Sequence, residues 1–121
     1  MQVKEVLSLL NAKTIYLDDP EVLNQNYNKA FASDLMSDAL ALLKDETDDV
    51  LFITGLANTQ SLRTAEVLDL NTIIFVRGKP LDLSIIDTAK ELNINLFQTN
   101  YTMYKACGIL FSEGLCNDKK I

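Results

Sequence analysis

Val50-Leu51-Phe52-Ile53, Thr72-Ile73-Ile74-Phe75-Val76 and Ile94-Asn95-Leu96-Phe97 are three short runs that are apolar at nearly every position. A strand with one face in water alternates apolar and polar residues. A strand covered on both faces need not, so these runs read as strands in the middle of a layered domain. Residues 59–68, 83–92 and 101–111 carry helix-compatible patterns between and after them. The order is therefore βαβαβα, in which helical crossovers make neighbouring strands parallel. The reading is an α/β fold, a single domain with a largely parallel sheet and flanking helices.

Working outward, Val3, Val6, Leu7 and Leu10 recur at helical spacing over residues 2–10, and residues 13–17 favour extended backbone until Asp18-Asp19-Pro20 breaks it. Residues 21–32 divide between asparagine-rich turns and a short second strand near Tyr27, Ala30 and Phe31. Ser33 and Asp34 then read as a helix start, a hydroxyl cap followed by an acid at the positive end of the dipole. The helix expected over residues 34–43 is apolar around most of its circumference. Leu35, Met36, Ala39, Leu40 and Leu43 are accordingly candidates both for core and for a subunit contact that would make the protein a homodimer. Four acids within residues 45–49 read as a solvated loop between the halves. The domain is placed at residues 1–116 and a flexible tail at 117–121.

The 121-residue chain carries 11 basic and 17 acidic residues, a formal charge of -6, which opposes attraction to nucleic acid or anionic lipid. The imbalance lies before Leu51, with ten acids against four bases; the remainder carries seven of each, so an anion site belongs there. No apolar run approaches the ~20 residues needed to cross a bilayer, and no signal-type core follows Met1, so a cytoplasmic location is expected. Histidine is absent, which removes His-dependent triads and leaves thiols and carboxylates as the only side chains for a metal site. No metal, cofactor or catalytic residue is assigned. Cys107 and Cys116 read as reduced thiols.

Ligands of open parallel sheets bind beyond the carboxyl ends of the strands. Three loops leave that edge: Thr54-Gly55-Leu56-Ala57-Asn58, Arg77-Gly78-Lys79-Pro80 and Gln98-Thr99-Asn100. Thr54, Gly55, Asn58, Arg77, Gly78, Lys79, Thr99 and Asn100 are the candidate ligand-binding residues, with Arg77 and Lys79 able to clamp a phosphate or carboxylate. Each also has a structural reading: glycines for turns, Asn58 and Asn100 for helix caps, and cations for solvation. No phosphate-loop or dinucleotide glycine motif occurs. Asp34 and Asp38, four apart, form a same-face pair if both are helical.

Ala32-Ser33-Asp34-Leu35-Met36-Ser37-Asp38, Phe52-Ile53-Thr54-Gly55-Leu56, Arg63-Thr64-Ala65-Glu66, Ile74-Phe75-Val76-Arg77-Gly78-Lys79 and Thr102-Met103-Tyr104-Lys105-Ala106-Cys107-Gly108 together resemble the stand-alone DRTGG-domain proteins. Such domains are also fused to CBS-domain regulatory pyrophosphatases and to phosphotransacetylases, and are similar in fold to the amino-terminal domain of HPr kinase and a domain of Mur ligases. The pair of short motifs that names the family is altered here to Gly55-Leu56-Ala57-Asn58 and Val76-Arg77-Gly78. The resemblance implies a non-catalytic regulatory or accessory module that dimerises or senses a small anionic metabolite or nucleotide. The alternatives are an adaptor for an unknown protein partner and, further off, an enzyme on a phosphorylated or acyl substrate using Cys107 or the Asp34/Asp38 pair.

Overall fold

The computed structural model describes residues 1–43 and 50–115. The expected acidic loop at 45–49, the tail at 117–121 and Cys116 lie outside the described residues. Five strands form one sheet: β1 (Lys13–Tyr16), β2 (Lys29–Ala32), β3 (Val50–Thr54), β4 (Thr72–Phe75) and β5 (Asn95–Gln98), in the order β1-β5-β4-β3-β2. The last four are mutually parallel, and β1 runs antiparallel along β5.

The spatial order steps one way from β2 to β5, so crossovers of one hand must stack their helices on one face. Helices α2 (Met36–Leu43), α3 (Thr59–Val67) and α4 (Leu83–Leu92) do so, burying Met36, Ala39, Leu43, Leu62, Ala65, Ile85 and Ala89 against Val50, Phe52, Ile73, Phe75 and Leu96. That leaves the opposite face bare. Helix α1 (Val3–Leu9) and helix α5 (Met103–Ser112) cover it, packing Val3, Val6, Leu10, Ala106 and Leu110 on Leu51, Ile53, Ile74, Val76 and Phe97. Successive residues of each central strand thus feed opposite cores, which is why every position of β3, β4 and β5 is buried. A fully buried Leu, Ile or Phe stabilises by about 1.5–3 kcal/mol relative to exposure.

The first half supplies both edges. The short strand expected near Phe31 is β2, parallel to β3 with Ala32 opposite Ile53. At the other edge, the chain leaving β1 is held by Asn95, whose side-chain oxygen accepts the backbone N–H of Asp18 and Asp19 at 2.8 and 3.1 Å. A 3₁₀ turn (Pro20–Asn24) follows, capped by Asp19.

The start of α2 differs from expectation. Ser33 does not cap the helix: its hydroxyl accepts Leu35 N–H in a local turn, and the helix begins at Met36. Asp34 stands before the first turn, so it and Asp38 do not share a helical face. The cause is tertiary, because the Asp34 carboxylate is drawn to the exit of β3.

Candidate functional site

Helix α4 follows β4 onto one face of the sheet and α5 follows β5 onto the other. Divergence of neighbouring loops opens a crevice in many α/β sheets. Here main chain bridges it: Arg77 N–H donates to the Tyr101 carbonyl at 2.8 Å, and Gly78 N–H to the Thr99 carbonyl at 3.0 Å. Gln98 adds a side-chain bond to the Lys79 carbonyl. Gly78 has φ +60°, the left-handed region that favours glycine, and a Cβ there would have to push aside the side chain of exposed Asn100.

Arg77 itself has φ +71°, an unusual conformation for a side-chain-bearing residue. Its guanidinium turns toward β3, where Nη2 donates to the Gly55 carbonyl at 3.0 Å and lies 3.4 Å from Asp34 Oδ2. A Cβ on Gly55 would collide with that guanidinium. Gly55 is therefore needed for close approach, not for its φ. The other carboxylate oxygen of Asp34 accepts Gly55 N–H at 2.6 Å and lies 3.5 Å from the Thr54 hydroxyl. Asp34 is not among the rim residues expected from the sequence. The register reveals it, since Ala32 faces Ile53 and two further residues bring Asp34 opposite Gly55.

The eight expected rim residues divide by role. Thr54 and Thr99 are buried and engaged: the Thr54 oxygen accepts Leu56 N–H at 3.1 Å, and the Thr99 hydroxyl donates to the Leu10 carbonyl at 2.6 Å. Asn58 caps α3 by accepting Ser61 N–H. Thr102, not Asn100, caps α5. Arg77, Lys79 and Asn100 face solvent, and Lys79 has no side-chain partner among the described residues. Three strand exits thus deliver two cations and a glycine turn to one rim, with Asp34 added from a fourth.

Of the expected contact residues, Met36, Ala39 and Leu43 of α2 are buried in this chain's own core, whereas Leu40, and Leu35 just before the helix, are exposed, Leu35 by 57%. Leu42, 65% exposed, joins them. Cys107 is half-buried on α5, and burial pushes its thiol pKa up, the opposite of what an activated nucleophile needs. Among the described residues no three metal-ligating side chains cluster, and no helix is long and apolar enough to cross a membrane.

No family model matches the sequence, and no curated protein matches it. A structural match is found to the CBS and DRTGG domains of the regulatory region of Clostridium perfringens pyrophosphatase, complexed with activator, diadenosine tetraphosphate. The match has a TM-score of 0.68 at 14% identity and covers 99% of this chain. It covers 52% of that chain, so the protein spans about half the length of the structure it resembles. The α/β domain, with its five-stranded mostly parallel sheet, has a DRTGG-like fold.

Proposed function

We propose that the protein is a non-catalytic regulatory module that binds a small anionic metabolite or nucleotide at the Gly55–Arg77–Lys79 rim and self-associates through the outer face of α2. The observation that carries this reading is the Arg77 guanidinium laid on the Gly55 turn, with solvent-facing Lys79 two residues on in the same loop, in a chain whose net charge is -6. Cations are retained there although the molecule as a whole repels anions. The nucleotide class is supported by the diadenosine tetraphosphate complex of the fold neighbour.

A thermal-shift series with ADP tests the ligand half. At 100 times its dissociation constant a ligand adds about 2.7 kcal/mol, a rise of roughly 8–16 °C for a chain of this length. Arg77→Ala should abolish the rise, and an equal rise in that variant rejects the site. For the second half, sedimentation at micromolar concentration should show a dimer that Leu35→Glu with Leu42→Glu converts to monomer; a monomeric wild type rejects it. A protein-docking adaptor is the second reading, favoured by Tyr104, 90% exposed on α5, beside the partly exposed Phe111. It predicts no nucleotide-dependent shift.

A further inference from the structure

The rim already holds an oxyanion. Asp34 places one carboxylate oxygen on Gly55 N–H at 2.6 Å, with the Thr54 hydroxyl at 3.5 Å, and the other 3.4 Å from Arg77 Nη2. A backbone N–H and a guanidinium reaching two oxygens of one anion are the groups that recognise a phosphate or carboxylate ligand. We propose that Asp34 is the built-in competitor of this site: a phosphate group on the ligand takes its place on Gly55 N–H and Arg77, and the released Asp34 unpins the start of α2. This rests on the anion-binding reading given above and adds its regulation.

Two features make the exchange feasible. The Asp34–Arg77 pair is open to water, with the side chains 45% and 40% exposed, so displacement does not require a buried charge to be stranded. Lys79 stands on the same loop, exposed and without a side-chain partner among the described residues, and its charge adds to a local positive potential that favours a doubly charged phosphate over a single carboxylate. The link to α2 is covalent and short. Asp34 adjoins Leu35, whose carbonyl accepts the N–H groups of Asp38 and Ala39 and so closes the first turn. A ligand that detaches Asp34 loosens that turn and shifts Leu35, one of the exposed apolar residues of the self-association face.

Inorganic pyrophosphate is the probe, titrated calorimetrically into the wild type, Asp34→Asn, Asp38→Asn and Arg77→Ala at low ionic strength. In Asp34→Asn the side-chain amide oxygen can still accept Gly55 N–H, but no charge remains to compete for Arg77. Asp34→Asn should bind about tenfold more tightly than wild type. Asp38→Asn, which removes the same charge four residues away, should gain less than threefold. Equal gains in both variants reduce the effect to net charge and overturn the proposal. Equal affinity of wild type and Asp34→Asn, with binding lost in Arg77→Ala, overturns the displacement while leaving the anion site standing. Absence of binding to wild type and Asp34→Asn alike overturns both. Hydrogen exchange on the wild type needs no variant: saturating pyrophosphate should speed exchange at the Asp38 and Ala39 amides, and unchanged or slower exchange there refutes the coupling.

Discussion

Gly55→Ala is the sharpest probe of how the rim is assembled. Gly55 does not occupy the left-handed region, so alanine fits its backbone; the obstacle is the Arg77 guanidinium, where a Cβ would have to go. Accommodating it means moving Arg77, which gives up its bond to the Gly55 carbonyl and its pairing with Asp34. A hydrogen bond from a charged donor is worth about 1.5–3 kcal/mol and an exposed ion pair about 0–1 kcal/mol. With Arg77 40% exposed, the lower ends apply, a loss of about 1.5–2 kcal/mol. Stiffening the unfolded chain by replacing glycine returns about 0.4–1 kcal/mol. The expected net cost is about 1 kcal/mol, or about 3–6 °C in melting temperature at this chain length. Urea unfolding of the wild type, Gly55→Ala, Arg77→Ala and the double variant separates the terms. Once Arg77 is truncated, Gly55→Ala should be neutral or stabilising by about 0.5 kcal/mol. A cost of the same size with and without Arg77 would show that the collision is not the cause, and would refute the account of why glycine stands there.

Asn95→Ala should destabilise by about 1–2 kcal/mol in urea, because it removes the acceptor of the Asp18 and Asp19 N–H groups, while the Asn71 carbonyl keeps the backbone N–H of residue 95; a loss below about 0.5 kcal/mol would mean that water replaces the side chain. Asn93 ends α4 at φ 57°, a conformation asparagine tolerates better than alanine, so Asn93→Ala should cost about 1 kcal/mol and Asn93→Gly close to none in thermal melts. Because burial raises the Cys107 pKa, the folded state favours the protonated thiol, and that contribution to stability is present below the unfolded pKa and lost as pH rises through the folded value. Alkylation of Cys107 at about pH 8, just below the ordinary thiol pKa, should accordingly be slower than that of a cysteine peptide. Equal rates would place the thiol in water.

The parallel half was legible because its strands are buried on both faces, and that leaves an unbroken apolar signature in Phe52-Ile53, Ile73-Ile74 and Leu96-Phe97. Helix α4 has the bounds expected from its pattern, 83–92. What escaped the sequence depends on contacts far apart along the chain. Strand β2 has only four half-buried residues, so its pattern is weak, and parallel pairing with β3 decides it. Asp34 follows a serine and precedes an apolar run, the local signature of a helix start, yet Gly55 N–H and Arg77 outcompete that position from 21 and 43 residues away. The rim glycines were visible, but the reason for Gly55, a guanidinium laid across it from a different loop, was not. Cross-linking of the β4 and β5 exits by main-chain bonds carries no side-chain signature at all.

The second face of the sheet is roofed by α1 and α5, which stand near opposite extremes of the described chain. No local segment can finish it. The unit from β3 to β5 builds its own layer from neighbours in sequence, whereas Val6 and Leu10 reach Ala106 and Leu110 only after closing a loop of about a hundred residues. The second layer is therefore closed only where the two ends of the described chain meet, and Leu51, Ile53, Ile74 and Phe97 stay covered as a set by α1 and α5 together.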